Sequence, residues 1–154
     1  MKNNLISILI TNYNKSQFLK KSLKSIQTQQ YKNYEIIIFD DASTDNSIEI
    51  IKKFKKMKLV INKKKIYSCP ALNQIYGLKK AFLKSRGKII CLMDADDYFK
   101  KNKLFEVNKY FELNKKKNVL YNLPIVAAGN NFNILKIGKI FSWHVTCSSK
   151  TAGF

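Results

Sequence analysis

Three acidic residues follow a short apolar stretch of the chain directly in sequence. The stretch covers residues 88–93, and Asp94, Asp96 and Asp97 follow it at once. Carboxylates this close together repel one another unless a cation lies between them. Hard divalent cations prefer carboxylate oxygens, and a protein often supplies one or two ligands while substrate phosphates supply others. The cluster therefore predicts a site for Mg²⁺ or Mn²⁺ together with a phosphorylated ligand.

A second acidic pair follows another apolar stretch. Residues 35–39 lead directly into Asp40 and Asp41. Acidic side chains here could serve only to cap the helix expected to begin near Asp45, because negative charge favours a helix N-terminus. Taken alone, the pair supports capping and ligand binding equally. Two strands that both deliver acid to one edge favour a single ligand site.

Strand-like and helix-like stretches alternate along the chain and would position these acids. Near-continuous apolar runs indicate strands covered on both faces, and apolar residues at helical spacing indicate the helices between them. The repeated strand–helix–strand units predict a three-layer α/β fold with a mostly parallel, Rossmann-like sheet and helices on both faces. Ligands bind such sheets beyond the carboxyl ends of the strands. We expect strands at 5–10, 34–39, 59–61, 88–93 and 119–123, and helices at 15–29, near 45–54, 72–82 and 101–114.

Local signals predict where two of the helices begin and end. Asn14 or Ser16 is expected to cap the first helix, since short polar side chains accept a hydrogen bond from the first turn. Gly87 is expected to close the third helix as its C-cap. That third helix is marked by apolar residues at helical spacing, namely Leu72, Ile75, Leu78 and Phe82.

Length and composition limit the class of protein. The chain has 154 residues, 45% of them hydrophobic, which suits one folded domain rather than a disordered segment. No apolar run approaches the roughly 20 residues that span a bilayer, and the N-terminus lacks the apolar core of a signal peptide, so we expect a cytoplasmic protein. The widely spaced Cys69, Cys91 and Cys147 indicate reduced thiols, and Cys91 is expected in the core.

The net charge of +19 has two interpretations. All but one of the 29 basic residues are lysine, the exception being Arg86. Nucleic-acid binders more often use arginine, which makes bidentate contacts with phosphates and base edges. A compositional bias towards lysine therefore explains the charge better than nucleic-acid binding. A basic surface would still be attracted to anionic lipid, so peripheral association with the inner face of a membrane is a further expectation.

Three segments, each at a predicted strand end, give the chain a family resemblance. Residues 7–14 look like an opening strand with its Tyr-Asn turn, residues 40–45 (Asp-Asp-Ala-Ser-Thr-Asp) like an acidic turn usually written Asp-Asp-Gly-Ser-Thr-Asp, and residues 92–97 like an Asp-x-Asp metal motif. In this order they resemble the family 2 glycosyltransferases, which have a nucleotide-sugar-binding Rossmann-like fold. The resemblance runs from residue 5 to residue 123 of a single domain, 1–154. It implies a C-terminally truncated domain in which residues 124–154 form only an incomplete acceptor part.

The resemblance implies roles for individual residues. Thr11 and Tyr13 would line the base and ribose pocket, with the tyrosine ring stacking on the nucleobase. Asp41 would accept a hydrogen bond from the base, most naturally from the N3–H of uracil or thymine. Asp94 is the first member of the metal motif and would belong to the same donor site. Asp96 would lie near the ribose or the metal, and either Asp96 or Asp97 would ligate the metal.

The activity that the resemblance implies is an inverting sugar transfer. The sugar would pass from a nucleotide diphosphate sugar, with UDP or dTDP as the expected carrier, to a hydroxyl of a glycan or lipid-linked acceptor. Such acceptors belong to polysaccharide, lipopolysaccharide or glycolipid synthesis. Bound Mg²⁺ or Mn²⁺ would stabilise the charge that develops on the diphosphate leaving group.

Two features depart from the family pattern. The family places its general base, an Asp or Glu, well past the metal motif, whereas this chain has neither after Glu112. The catalytic base is therefore absent from this chain, and a truncated nucleotide-sugar-binding module without turnover is the alternative. Gln74 stands where the family commonly has an arginine, and Lys63–Lys65 could supply that charge instead. The only histidine, His144, is better explained as a packed or exposed residue than as a metal ligand.

Overall fold

The computed structural model describes residues 2–116, 119–121 and 146–149, the last two ranges mainly through their backbone. Strands and helices alternate as expected, which confirms the α/β class. None of the helices in these ranges is long and apolar enough to cross a membrane. In chain order the elements are β1 (Ile6–Asn12), α1 (Ser16–Gln27), β2 (Tyr34–Asp41), α2 (Ser47–Lys52), β3 (Met57–Asn62), α3 (Pro70–Leu83), β4 (Ile89–Asp94), α4 (Lys103–Leu113), β5 (Val119–Tyr121) and β6 (Thr146–Ser149).

The strands form one sheet in the order β3-β2-β1-β4-β6-β5. The first four in this order are parallel, and β6 runs antiparallel to both of its neighbours. The sheet is therefore mostly parallel, as predicted, and β5 forms within the expected fifth strand. β6 was not predicted. The chain runs outward from β1 to β3 and then returns to the other side of β1 as β4, so strand order reverses between β1 and β4.

Helices cover both faces of the sheet, which gives the three predicted layers. Leu23 of α1 and Leu104 of α4 pack in one core cluster with Ile8 of β1. Ala81 of α3 packs in a second cluster with Leu9, the next residue of β1. Neighbouring residues of a strand point to opposite faces, so strands covered on both faces read as continuous apolar runs.

Only part of the apolar set that marks α3 faces the sheet. The helix is present, but Leu72 and Ile75 are exposed, while Asn73, Gly77 and Ala81 are buried. A side chain at Gly77 would overlap the ring of Phe39 on β2. Small residues therefore let α3 approach the sheet closely. Leu78 and Phe82 pack partly buried against the second cluster, whereas Leu72, Ile75 and Leu83 are left exposed.

Gly87 does not cap α3, so that prediction is wrong. The helix ends at Leu83, and Lys84, which has right-handed backbone angles, is its C-cap residue. Gly87 instead lies against the start of β1, where its N–H donates to the Ser7 hydroxyl at 2.8 Å. A Cβ at Gly87 would stand 2.5 Å from the Ser7 backbone nitrogen. Glycine is needed for this close approach and not for helix termination.

Glu35 joins several segments at the amino-terminal edge of the sheet. Its carboxylate accepts hydrogen bonds from the hydroxyl of Ser7 (2.7 Å), Nζ of Lys58 (2.9 Å) and the backbone N–H of Arg86 (2.5 Å). Burial raises the pKa of Glu35, but these hydrogen bonds and the charge of Lys58 favour the ionised form more strongly and lower the pKa to about 2.

Replacing Glu35 with Gln should lower the free energy of unfolding at neutral pH by about 1–3 kcal/mol, because the neutral amide loses the Lys58 ion pair. The folded-state pKa is depressed, so the contribution of the carboxylate is complete above its unfolded pKa of 4.5 and is lost as the pH falls towards about 2. Urea unfolding of both proteins between about pH 7 and about pH 3 should show stabilities that converge in acid.

The matched control for this prediction is Glu49→Gln, which changes an exposed acid on α2. Its effect should stay within about 0.5 kcal/mol at every pH. A stability difference for Glu35→Gln that is the same at neutral and acid pH would contradict the ionic role of Glu35.

Candidate functional site

The carboxyl ends of three neighbouring strands meet on one side of the molecule. In the sheet register, Thr11 of β1 lies opposite both Phe39 of β2 and Asp94 of β4. A pocket of about 300 Å³ opens here, beside the point where strand order reverses. The pocket wall brings together residues from all three sequence segments, namely Thr11, Tyr13, Asp41, Asp94 and Asp96.

Asp40 and Asp41 have different surroundings although they are adjacent. The buried carboxylate of Asp40 accepts hydrogen bonds from Asn12 Nδ2 (2.7 Å), the Ser43 N–H (2.9 Å) and the Ser43 hydroxyl (2.8 Å). Asp41 lines the pocket, and its Oδ1 accepts a hydrogen bond from Asn62 Nδ2 at 3.1 Å. Asp40 therefore fastens the turn, and Asp41 is the member of the pair that a ligand can reach.

Asp45, and neither Asn14 nor Ser16, caps the first helix with its side chain. One oxygen of Asp45 accepts a hydrogen bond from the Ser16 N–H and the other from the Ser47 N–H, each at 2.9 Å. Burial raises the pKa of Asp45, but the hydrogen bonds from Ser47 and Ser16 have the larger effect. The resulting pKa of Asp45 is about 2. Asn14 instead uses its Oδ1 to accept a hydrogen bond from the Thr44 N–H at 2.8 Å. Hydrogen bonds between residues 44–45 and residues 14–16 therefore hold the acidic turn against the start of α1, beside Tyr13.

Two residues of this region adopt left-handed backbone angles. Asn14 has a φ of 50° and Ala42 a φ of 58°. Asparagine tolerates this conformation, whereas the Cβ of alanine crowds the backbone there. Ala42 occupies the position at which the resembled family usually has glycine, and the turn keeps the conformation that glycine would favour.

Tyr13 presents its ring at the pocket, where it is 41% exposed. Nζ of Lys65 lies 3.4 Å from the ring centroid, a distance at which the ammonium is attracted to the ring face. Lys65 also lines the pocket. A nucleobase that stacks on Tyr13 would therefore use the opposite face of the ring or displace Lys65.

The acidic residues at the end of β4 also differ in whether they line the pocket, as Asp40 and Asp41 do. Asp94 and Asp96 line the pocket, whereas Asp97 is not part of its wall and donates its backbone N–H to the Asp94 carbonyl at 3.0 Å. Asp94 Oδ1 accepts a hydrogen bond from Gln74 Nε2 at 2.9 Å. Asp96 Oδ2 forms an ion pair with Lys15 Nζ at 2.7 Å. Both of these carboxylates are therefore engaged, Asp96 by the N-cap residue of α1 and Asp94 by a donor from α3.

The oxygen ligands present suit a hard divalent cation. Asp94 and Asp96 offer two carboxylates on one wall, a number that Mg²⁺ or Mn²⁺ sites often use when phosphates complete the shell. Among the described residues, no group of three His, Cys, Asp or Glu side chains could hold a metal ion by itself. The donor chemistry fits a cation that is shared with a phosphorylated ligand.

Several residues of the site carried no separate sequence signal. The sequence predicts Lys15 only as the start of a helix, and Asn62 only as the residue after a strand. Asn73 is buried and holds the loop before α3, accepting from the Tyr67 N–H at 2.9 Å and donating to the Tyr67 carbonyl at 2.7 Å. Asn12 also lines the pocket, and its buried Oδ1 lacks a hydrogen-bond partner among the described residues.

The structure describes the side chains of two of the three cysteines. Cys69 is exposed, and Cys91 is buried in the core, as predicted. The side chain of Cys147 and the whole of His144 lie outside the described residues. Their predicted states therefore stay predictions.

Comparison with known proteins gives matches to sugar-transferring enzymes. The family described as "Glycosyl transferase family 2" matches residues 7–150. An uncharacterized glycosyltransferase of Nostoc sp. is 31% identical over 123 residues, which are 79% of this chain and 37% of that protein. The UDP-Glc:alpha-D-GlcNAc-diphosphoundecaprenol beta-1,3-glucosyltransferase WfaP of Escherichia coli is 36% identical over 101 residues, 65% of this chain and 38% of the enzyme.

A solved structure has the same fold. The mannosyltransferase PcManGT from Pyrobaculum calidifontis, in complex with GDP-Man and Mn²⁺, matches with a TM-score of 0.68 and 18% sequence identity. The match covers 94% of this chain and 44% of that chain. The chain thus spans less than half the length of the relatives it matches.

Replacing Ala42 with Gly should raise the free energy of unfolding by about 0.5–1 kcal/mol. The left-handed conformation costs alanine roughly 1–2 kcal/mol, and the larger entropy that glycine loses on folding offsets part of the gain. Urea unfolding at neutral pH measures the change. The control Ala71→Gly, in the first turn of α3, should act in the opposite direction by a similar amount. A loss of stability in Ala42→Gly would contradict the strain at this turn.

Proposed function

The chain belongs to glycosyl transferase family 2, and on this premise we propose that it forms the donor-binding part of an inverting glycosyltransferase. The donor is a nucleotide diphosphate sugar, and the acceptor is a hydroxyl on a glycan or a lipid-linked sugar. The observation that carries the proposal is the convergence of Tyr13, Asp41, Asp94 and Asp96 on one pocket at the switch point of the sheet. Pockets at this point of parallel sheets are where such ligands bind.

The residues of the pocket wall suit the two parts of a nucleotide diphosphate. The Tyr13 ring and the Thr11 side chain form an edge for the base and ribose. Asp41 is nearly buried and accepts a hydrogen bond from Asn62, so its carboxylate is held in place to accept a hydrogen bond from a base N–H. Uracil and thymine both carry such a group at N3, which favours UDP or dTDP as the carrier. The name of the Escherichia coli relative includes UDP-Glc, in agreement with this preference.

Asp94 and Asp96 would hold a divalent cation, Mg²⁺ or Mn²⁺, against the diphosphate. When bound, the cation would neutralise negative charge on the leaving group. The solved neighbour with GDP-Man contains Mn²⁺, which supports this part of the proposal. Asp97 is outside the pocket wall, so we favour Asp96 over Asp97 as the direct ligand. Lys15 and Gln74 would orient the two carboxylates until the cation arrives.

A second candidate function is donor binding without turnover. An inverting transfer needs a general base for the acceptor hydroxyl. The chain has no Asp or Glu after Glu112, and Glu112 accepts a hydrogen bond from Asn4 at 2.8 Å, at the opposite end of β1 from the pocket. These 154 residues alone would then bind a sugar nucleotide without transferring the sugar. The whole protein would supply the base from another segment.

The biological setting stays a proposal from the sequence and the relatives. Relatives named for transfer to diphosphoundecaprenol-linked and dolichyl-phosphate-linked sugars support a role in polysaccharide, lipopolysaccharide or glycolipid synthesis. A cytoplasmic location fits the use of a soluble sugar nucleotide. Peripheral contact with a membrane would bring the pocket to a lipid-linked acceptor.

Calorimetric titration with UDP, dTDP, GDP and ADP, with and without Mn²⁺, tests the donor site. We expect UDP or dTDP to bind most tightly and Mn²⁺ to strengthen binding. Asp41→Asn should weaken UDP binding about tenfold, because a charge-assisted hydrogen bond to the base is lost. Asp96→Ala should remove the metal-dependent part of the affinity and leave the metal-free part unchanged.

The matched control for this titration is Glu49→Gln, an exposed acid away from the pocket, which should change neither quantity. Absence of binding by all four nucleotides would contradict the donor site. Release of UDP from a UDP-sugar by the 154-residue chain would exclude the binding-only alternative, whereas binding without release would support it.

Replacing Lys15 with Met should tighten Mn²⁺ binding about three- to tenfold, because the ammonium no longer competes for Asp96. Electron paramagnetic resonance of free Mn²⁺, measured with UDP present and with UDP alone as the reference, gives the affinity of the shared site. Lys20→Met removes an exposed lysine from α1, the helix that Lys15 precedes, and should have a much smaller effect. Weaker Mn²⁺ binding by the Lys15 variant would show that the ion pair supports the site rather than competing with the cation.

A further inference from the structure

One long stretch of the chain carries basic residues and no acidic ones. Residues 50–93 contain twelve lysines and Arg86, and they contain no Asp or Glu. The stretch runs from the end of α2 through β3 and α3 to β4. The described sheet has β3 at one edge, and α3 alone covers the face beside it. This stretch therefore contributes only basic charges to the β3–α3 side of the molecule, and the acid that pairs with its Lys58 is Glu35 of β2.

The outward side of α3 is apolar. Leu72, Ile75 and Leu83 are 48%, 62% and 67% exposed. Together with Lys79 they are spaced by three, four and four residues, which places all four on one stripe of the helix. Residues buried against the sheet, such as Gly77, lie on the opposite side. A helix face that points into solvent usually carries polar side chains, so this stripe needs an explanation.

The loop before α3 continues the same surface. Ile66 and Tyr67 are 47% and 42% exposed there, directly after the lysine run 63–65. Exposed lysines surround the apolar side chains on both the loop and the helix. We call this surface the basic apolar face, and it consists of Ile66, Tyr67, Leu72, Ile75 and Leu83 with Lys63, Lys64, Lys79, Lys80 and Lys84.

We propose that the basic apolar face docks onto an anionic membrane surface. Exposed Leu, Ile and Tyr side chains can enter the boundary between headgroups and acyl chains. Lysines beside them extend their ammonium groups to anionic headgroups while their aliphatic stems cover apolar surface. Lys79 lies within the apolar stripe, which is the arrangement that a lipid surface accepts and a dry protein core does not.

The charges disfavour the other occupants. A second copy of the chain would bring two lysine-rich faces together, and like charges in contact oppose association. The chain has no Asp or Glu after Glu112, so its later residues offer no acid to neutralise these lysines. A nucleic acid would satisfy the lysines but would leave Leu72, Ile75 and Leu83 without apolar contacts, because single strands need aromatic stacking surfaces.

Docking would also set the position of the pocket. Lys65, Pro70 and Gln74 line the pocket and belong to the same loop and helix as the basic apolar face. Contact with a bilayer would therefore hold the pocket mouth beside the membrane. The docking itself requires no sugar nucleotide, so it stands or falls independently of the donor site.

Vesicle flotation of the 154-residue chain tests the proposal at about 0.15 M salt. One vesicle set contains phosphatidylcholine alone, and the other contains phosphatidylcholine with phosphatidylglycerol. We expect binding to the anionic vesicles and at least about tenfold weaker binding to the neutral ones. The double variants Leu72→Ser/Ile75→Ser and Lys79→Gln/Lys80→Gln should each weaken binding about tenfold.

Matched double variants on other faces serve as controls. Phe105→Ser/Leu113→Ser removes exposed apolar side chains from α4, and Lys20→Gln/Lys24→Gln removes exposed lysines from α1. Each should change binding less than about twofold, with an unchanged circular dichroism spectrum showing that all variants are folded. Absence of vesicle binding, equal binding to both vesicle sets, or equal losses in the control variants would overturn the proposal.

Two further measurements separate the rival occupants. An RNA oligonucleotide should bind more weakly than the anionic vesicles. If the RNA binds more tightly, and only Lys79→Gln/Lys80→Gln reduces its affinity, the proposal is overturned in favour of nucleic-acid binding. The parent chain could instead form a dimer on size exclusion and fail to bind vesicles. If Leu72→Ser/Ile75→Ser then dissociates that dimer, the membrane proposal is overturned in favour of self-association. A monomer that floats with anionic vesicles supports the membrane proposal.

Discussion

The pocket depends on the buried carboxylate of Asp40. A carboxylate without solvent is stable only if hydrogen bonds replace the water it has lost. Asp40 accepts three such bonds from Asn12 and Ser43, which tie the end of β1 to the turn after β2. Asp41 and Tyr13 follow Asp40 and Asn12 directly in the chain. Their positions at the pocket are therefore set by a neighbour that no ligand needs to touch.

In the ligand-free pocket, the charged side chains interact with other residues of the pocket wall. Lys15 pairs with Asp96, Gln74 donates to Asp94, and Lys65 lies over Tyr13. A diphosphate with its cation could take over both halves of this arrangement, since phosphates attract the lysines while the cation attracts the carboxylates. The Lys15–Asp96 pair is partly exposed, and exposed pairs are worth about 0–1 kcal/mol. An exchange of partners would therefore meet little resistance.

The two sides of α3 serve different purposes. Gly77 and Ala81 are small enough to let the helix approach β2 and its Phe39 closely. Leu78 and Phe82 also pack on this side, whereas Leu72, Ile75 and Leu83 stay exposed. The same helix also supplies Asn73 and Gln74 to the pocket wall. One element thus connects the sheet, the pocket and the basic apolar face.

The sequence by itself determined the layered fold and the side on which the acids collect. Continuous apolar runs identify strands covered on both faces, and parallel strands necessarily bring their carboxyl ends to one edge. The residue pattern alone does not distinguish Asp40 from Asp41, and only the family resemblance points to Asp41. Both residues end β2, and their different partners exist only in the folded sheet, where Asp40 binds Asn12 and Ser43 while Asp41 lines the pocket. Helical spacing also could not tell which side of α3 faces inward, since that helix is apolar on both sides and close packing against Phe39 selected the small residues. The tertiary structure alone decided that Asp45 caps α1 and that Lys15 meets Asp96, because each contact joins residues far apart in the chain.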